Sequence, residues 1–361
     1  MRFIHTADHH LNVSLSHASF KNAKAHDTRL YELKDTFFKI LRHADEKNVD
    51  ALLIAGDLFD NASIKIHELE SIFERLNALE CEVFLLIGNH DVFLHEPPYQ
   101  SLLDAKNIHV FSKDYPSHDL GETTIHGINT KDFSPEHLKR LNESLDTSRQ
   151  NILMLHGDIL NKQDDHHLTT LKMLEATDFD YIALGHIHKP AFLRDHIAYC
   201  GNPEPLDFSE SDERGYIEGT LSNKHLSTAF RPVQKRRFLT HTIKVTEEET
   251  IDDIREKMRT CAEEDSREKD FHRIVLKGTR GEHVDIDTDK LTQYLIEDFH
   301  YVEIRDETEV AFDYAMLKQS YKDTLISVLI EEYEAMKSPN EEDEAALNEA
   351  LRALLETEGS Q

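Results

Sequence analysis

Five short clusters of Asp, Asn, His and Gly carry the residue types that chemistry needs. They are Asp8-His9-His10, Gly56-Asp57-Leu58-Phe59-Asp60, Gly88-Asn89-His90-Asp91, His156-Gly157-Asp158 and Gly185-His186-Ile187-His188. Together they offer Asp8, His10, Asp57, Asn89, His156, His186 and His188 as candidate metal ligands. No thiolate is among them, and mixed nitrogen and oxygen ligation suits Mn, Fe, Zn, Co or Ni. The set is larger than one divalent ion uses. Shared between two ions, with one carboxylate bridging, it fits a hydrolytic centre that stabilises both the attacking and the leaving oxygen of a phosphoester. Asp8 and His10, like His186 and His188, are two residues apart, so in an extended turn both members point the same way.

Each cluster directly follows an apolar run of four or five residues, at 3–6, 51–55, 83–87, 152–155 and 181–184. The runs do not alternate with polar residues, which predicts strands buried on both faces. Between the first three runs lie helical patterns. Leu33, Phe37, Ile40, Leu41 and Ala44 share one face, as do Leu69, Ile72, Phe73 and Leu76. This order predicts a layered α/β core with β-sheets flanked by helices, and such cores bind ligands along one edge at the strand ends. Four of the twelve glycines stand in the five clusters, where a backbone turning beside a ligand uses them.

Short strands and turns follow to about residue 238. A strand over 240–245, a helix over 250–261, a strand over 273–277, a helix over 289–297 and a strand over 301–305 predict a small α+β domain. The expected division is 1–238, 239–310 and a helical, acidic 311–361. In the last segment Ser338 is the expected N-cap, with Pro339 in the first turn and Glu341 three residues after the cap. Leu347, Leu351 and Leu354 then form an apolar stripe.

The formal charge is 41 − 70 = −29, which argues against holding a polyanion by bulk charge. No apolar stretch approaches the ~20 residues that span a bilayer. Three cysteines far apart make no disulfide framework, and a cytoplasmic protein with no membrane contact is expected. His9 should point away from Asp8, and His166-His167 reads as an exposed loop. Lys235-Arg236-Arg237 is the densest basic cluster, and a charged strand end accounts for it.

In succession, Asp-x-His, Gly-Asp-x-x-Asp, Gly-Asn-His-Asp, His-Gly-Asp and Gly-His-x-His resemble the calcineurin-like metallophosphoesterase superfamily. Within it the chain is most similar to the SbcD-type DNA repair nucleases. The opening Phe3-Ile4-His5-Thr6-Ala7-Asp8-His9-His10-Leu11 and the segment Tyr199-Cys200-Gly201-Asn202-Pro203-Glu204-Pro205 carry that likeness. The resemblance implies one metal at Asp8, His10, Asp57 and His188. It implies a second at Asp57, Asn89, His156 and His186, with Asp57 bridging and Mn²⁺ as the expected ion. It places His90 where it can protonate the leaving oxygen or stabilise the phosphorane, and makes Asp91 the carboxylate that holds the His90 ring in the useful tautomer. It further implies a DNA exonuclease or structure-specific endonuclease with a capping domain after residue 239. Its C-terminal helices would engage an SbcC-type coiled-coil ATPase, and a homodimer is implied through helices of the first domain. Asn12 stands where these nucleases usually have Gly, and Asn tolerates the positive φ such a position needs. The same ligands would also serve a phosphatase or phosphodiesterase for a small molecule, and the acidic surface suits that alternative.

Overall fold

The computed structural model describes residues 1–13, 23–61, 64–97 and 99–358. Two compact units divide it, Met1–Leu239 and Thr240–Gln361.

The first unit runs β1 (Arg2–Thr6), α1 (Ala23–Glu46), β2 (Ala51–Ile54), α2 (Ile66–Asn77), β3 (Glu82–Leu85), β4 (Ile108–Val110), β5 (Ser117–Leu120) and β6 (Thr123–Ile128). It continues with α3 (Pro135–Glu143), β7 (Gln150–His156), α4 (Leu171–Glu175), β8 (Tyr181–Gly185), β9 (Ala191–Arg194), β10 (Ile197–Tyr199), β11 (Gly215–Ser222) and β12 (His225–Pro232). One six-stranded sheet has the order β12-β11-β1-β2-β3-β4, and the other β5-β6-β7-β8-β10-β9. The strands that lead into the five clusters, β1, β2, β3, β7 and β8, pair in parallel within their sheets. All five clusters therefore emerge along one edge.

The expected double burial is present, because residue parity sends neighbours into two different cores. Phe3, Leu53 and Phe84 face Ile152, Met154 and Tyr181 of the other sheet. Ile4, Leu52, Ile54, Val83 and Leu85 instead pack under Phe37, Ile40 and Leu41 of α1 and Leu69, Ile72 and Phe73 of α2. On the far side, Leu153, Leu155, Ile182 and Leu184 meet Leu138, Leu141 and Leu174 of α3 and α4. The result is a helix–sheet–sheet–helix sandwich whose strands need apolar residues at every position.

Next to the site, α1 is tied down by a buried polar cluster. Arg29 donates to Glu204 Oε2 and to the Pro205 carbonyl, both at 2.6 Å, and Thr36 donates to Glu204 Oε1 at 2.6 Å. The basic cluster of 235–237 serves the same helix, with Lys235 on Asp35 at 2.5 Å and Arg236 on Glu32 at 2.7 Å.

The second unit begins at Thr240, inside β13 (Phe238–Val245). It continues with α5 (Ile251–Arg259), α6 (Glu264–Lys269), β14 (Phe271–Arg280), α7 (Thr288–Leu295) and β15 (Tyr301–Val310). Its sheet has the order β13-β14-β15, with β14 and β15 parallel over ten residues. Helix α6 has no counterpart in the sequence expectation, since its Glu264–Lys269 stretch is charged nearly throughout and carries no apolar stripe. Three helices follow, α8 (Tyr314–Ser320), α9 (Leu325–Glu334) and α10 (Glu341–Glu358). Leu317, Ile326, Ile330, Leu347 and Leu351 form their common core.

The N-cap of α10 is Asn340 rather than Ser338. Asn340 Oδ1 accepts from the backbone of Glu342 at 2.8 Å and of Asp343 at 3.0 Å, while Asp343 Oδ2 accepts from the Asn340 backbone at 3.0 Å. This reciprocal box starts the helix after Pro339, leaving the Ser338 hydroxyl on the Lys337 carbonyl. Among the described residues no helix is long and apolar enough to cross a membrane.

Candidate metal centre

Past the strand ends, the backbone ladder between the first two clusters continues. Asp8 N donates to the Gly56 carbonyl and His10 N to the Asp57 carbonyl, both at 3.1 Å, and Leu11 N to the Leu58 carbonyl at 3.0 Å. Following that path forces left-handed backbone at Asp8 (φ 54°), His10 (φ 44°), Asn12 (φ 65°), Asp57 (φ 50°) and, from β8, His186 (φ 97°). Residues with a Cβ adopt that region at a cost, and clustering there marks a site where geometry outweighs local comfort. Gly88 is needed for a different reason. A Cβ there would run into the Asp57 carboxylate and the Asp57 backbone nitrogen.

The side chains gather in two nests. In one, His156 Nδ1 lies 2.9 Å from the Ala55 carbonyl. A carbonyl only accepts, so Nδ1 carries the proton and Nε2 turns its lone pair to the cluster. Asn89 Oδ1 stands 2.9 Å and Asp57 Oδ2 3.1 Å from that Nε2, and His186 completes the group. Three acceptors thus converge on one point, a disposition that asks for a proton or a cation.

The other nest holds Asp8, His10 and His188. His188 Nδ1 is 2.5 Å from Glu210 Oε1, and His10 Nδ1 is 3.4 Å from Asp60 Oδ1. With its Nδ1 proton on Glu210, the His188 ring turns Nε2 inward, 3.0 Å from His10 Nε2. Asp57 Oδ2 stands 3.9 Å from His10 Nε2, so this one carboxylate lies between the nests. The Asp8 carboxylate is oriented by the His186 backbone N–H, 2.9 and 3.0 Å from its two oxygens. Hard oxygen and borderline nitrogen donors in this arrangement fit a pair of divalent cations.

The electrostatics follow from the packing. Burial lowers the His156 imidazole, but the Asp57 carboxylate outweighs it and holds His156 up to about 9. Burial likewise raises Asp57, and the His156 charge overrides it, leaving Asp57 well below the usual carboxylate range. Glu210 is pushed down to about 2, because hydrogen bonds and charge from His188 exceed its burial. His188 is raised in return. His186 is lowered by burial and by the neighbouring His156 charge.

His90 stands at the rim, its side chain 40% exposed. Its Nδ1 is 2.8 Å from the Asp60 carbonyl, which fixes the proton on Nδ1 and presents Nε2 outward. Asp91 does not hold that ring. Its fully buried carboxylate accepts from the backbone N–H groups of Phe59 at 2.8 Å, Leu58 at 3.1 Å and Gly88 at 3.3 Å. It ties the second cluster to the third, and burial with the nearby Asp57 raises it to about 7. The tautomer role expected of Asp91 falls to the Asp60 backbone, because the turn directs the residue after His90 inward.

His9 is buried as expected away from the nests, 2.9 Å from Thr6 Oγ1 and edge-on to Phe37. His166 differs from expectation. It is half-buried, with its ring 5.3 Å from that of His186. Asp60, Glu210 and His166 complete the centre, and only Asp60 lies within a sequence cluster.

Residues 1–190 match the model of the calcineurin-like phosphoesterases. The chain belongs to that family. The uncharacterized metallophosphoesterase YhaO of Bacillus subtilis (strain 168) is 29% identical over 254 residues, 64% of this chain and 60% of its own. The DNA double-strand break repair protein Mre11 of Methanosarcina acetivorans is 28% identical over 264 residues, 69% of this chain and 41% of its own. The SbcD component of the nuclease SbcCD of Escherichia coli (strain K12) is 27% identical over 277 residues, 63% of this chain and 67% of its own. The phosphoesterase thus spans less than two thirds of the first two relatives' length.

Proposed function

We propose that this phosphoesterase is a Mn²⁺-dependent DNA nuclease, hydrolysing phosphodiesters at DNA ends or structured DNA. The observation that carries the reading is the Asp57 carboxylate, placed between two nests of nitrogen and oxygen donors on a parallel strand edge. Asp8, His10, Asp57 and His188 would hold one cation, and Asp57, Asn89, His156 and His186 the other. Two cations there supply charge stabilisation for both reacting oxygens and lower the pKa of water.

The chain's own residues do the rest. Asp57 fixes the separation of the two nests, the Ala55 carbonyl and Glu210 fix the rings of His156 and His188, and Asp91 locks the loops that carry them. His90, with its Nδ1 proton held by the Asp60 carbonyl, presents Nε2, and in its imidazolium form it would deliver the Nε2 proton to the leaving oxygen.

The names of the Mre11 and SbcCD relatives support DNA as substrate and a second subunit as partner, which the sequence resemblance makes an SbcC-type coiled-coil ATPase. Under this reading the 239–310 segment caps the DNA, the helices of 311–361 engage the ATPase, the first domain pairs as a homodimer, and the protein is cytoplasmic. The −29 charge favours a second reading, a phosphatase or phosphodiesterase for a small molecule. Incubation with Mn²⁺ separates the two, using linear duplex DNA, single-stranded DNA and bis(p-nitrophenyl) phosphate. DNA cleavage that falls on the order of 10²–10⁴-fold in His90→Ala supports the nuclease with His90 as acid. Turnover of the small diester with DNA untouched supports the second reading.

A further inference from the structure

A cavity of about 300 Å³ opens at the His186 edge of the centre, lined by Ile87, Val92, Thr130, Lys131, Asp165 and His166. Asn89 forms its inner wall, and the Asn89 amide oxygen is 2.9 Å from His156 Nε2, so cavity and centre are continuous. His90 stands on the other side, against Asp60 and His10. A diester lying across the strand ends therefore has one arm at His90 and the other at this cavity.

The lining narrows what that arm is. Ile87 and Val92 give apolar walls, and Val92 leaves 49% of its surface open next to the reacting centre. Such exposure of a large apolar side chain beside polar loops marks a contact surface. The polar atoms are of mixed kind. Lys131 donates, Asp165 accepts and the His166 imidazole does either. A free phosphate would meet the Asp165 carboxylate, and a purely apolar group would use Ile87 and Val92 alone and make nothing of the three polar side chains. A flat ring with donors and acceptors on its edges satisfies both. The His166 backbone is also fixed, its N–H held by Asp164 Oδ1 at 2.7 Å and its carbonyl by Asp158 N at 3.0 Å. Its ring stands edge-on to that of His186, and an aromatic ring at this place is of the kind on which bases stack. The volume lies at the low end for ligand pockets, the size for one ring system.

We propose that this cavity is a nucleobase subsite, which seats the base of the nucleotide whose phosphate occupies the metal centre. The inference rests on the phosphodiesterase reading and deepens it. A centre so built favours nucleotide esters over diesters of equal charge that lack a base.

The test titrates the Mn²⁺-loaded full chain with thymidine 5′-monophosphate and, separately, with inorganic phosphate, by calorimetry. The nucleotide is expected to bind on the order of tenfold more tightly. Val92→Trp, which fills the cavity, should erase that advantage, and Val92→Ile should restore most of it. Lys131→Ala, an exposed change, should reduce the advantage about threefold, and it decides the matter if bulk at position 92 disturbs folding. Equal affinities in the unaltered chain, or an advantage that survives both Val92→Trp and Lys131→Ala, would overturn the subsite. In parallel, kcat/KM for the p-nitrophenyl ester of thymidine 5′-phosphate is divided by that for bis(p-nitrophenyl) phosphate. That ratio should fall in the same variants. If neither ester turns over, the phosphodiesterase reading fails, while the titration still decides the cavity.

Discussion

The two nests of the centre are built by different means. Around His156 the supports are backbone: the Ala55 carbonyl takes the Nδ1 proton, and the His90 N–H donates to Asp57 Oδ1 at 2.9 Å. Around His188 and His10 they are side chains. Glu210 holds the His188 ring and the Asp60 carboxylate lies 3.4 Å from His10 Nδ1, and Glu210 is itself held by Asn202 Nδ2 at 2.7 Å and Leu206 N at 2.8 Å. Backbone supports are set once the strands pair, so the first nest is as rigid as the sheets. The second depends on a carboxylate brought in from 22 residues along the chain. One nest should therefore tolerate little change and lose everything together, and the other should be tunable by single substitutions.

The largest expected effect removes the element common to both. Asp57→Asn keeps the shape but removes the charge that faces two sets of imidazoles. Loss of a bridging carboxylate should lower kcat by about 10³-fold or more. It should also reduce bound Mn²⁺ from two per chain to one or fewer, read by elemental analysis after dialysis. Full occupancy with unchanged turnover would show that Asp57 joins nothing.

A smaller effect, confined to one nest, is expected at Glu210. A carboxylate behind a ligating histidine fixes ring and tautomer, and its loss costs about 10–100-fold in metal affinity. Glu210→Gln should weaken one of the two Mn²⁺ binding steps by that factor and leave the other in place. Glu210→Asp should recover part of it. Weakening of both steps alike would mean that Glu210 supports the fold of the loop and not the His188 ring. The ¹⁵N shifts of His188 supply a second readout, because a change of tautomer moves them and mere loosening does not.

How much of this could be read from the residues follows the same division. The ligands stand directly after buried strands, so local sequence carries them, together with the parity that buries each strand on both faces. Asp60 belongs to a recognisable cluster, yet its role at His90 lies in its carbonyl, and a backbone atom has no signature in side-chain types. Asp91 departs from expectation because adjacency in sequence is not adjacency in space. The residue after His90 turns under the loop and meets three amide groups. Glu210 and His166 lie in polar loops with no periodicity, and only the closure of chain segments far apart in sequence brings them to His188 and His186. Asn340 displaces Ser338 as a cap because Asp343, not Glu341, completes the reciprocal box.

The smallest effect reports on the backbone-built nest in the chain stripped of metal. There the converging acceptors around His156 Nε2 are satisfied by a proton, which is why Asp57 holds that imidazole up to about 9 against an ordinary 6.5. A folded-state value above the unfolded one means that the proton stabilises the fold. The contribution is complete below pH 6.5 and is lost as the pH rises through about 9. The Tm of the metal-free chain should fall over that window, and His156→Gln should flatten the fall. A divalent cation replaces the proton, so the loaded protein should show little of this dependence, and loading at pH 7 should release about one proton per chain from this nest. The release is measured by calorimetry in two buffers of different ionisation heat. His186 is lowered by burial and the His156 charge, so the release is expected mainly from His156. If the metal-free Tm were flat between pH 6.5 and 9, the two nests would not differ in the way their supports imply.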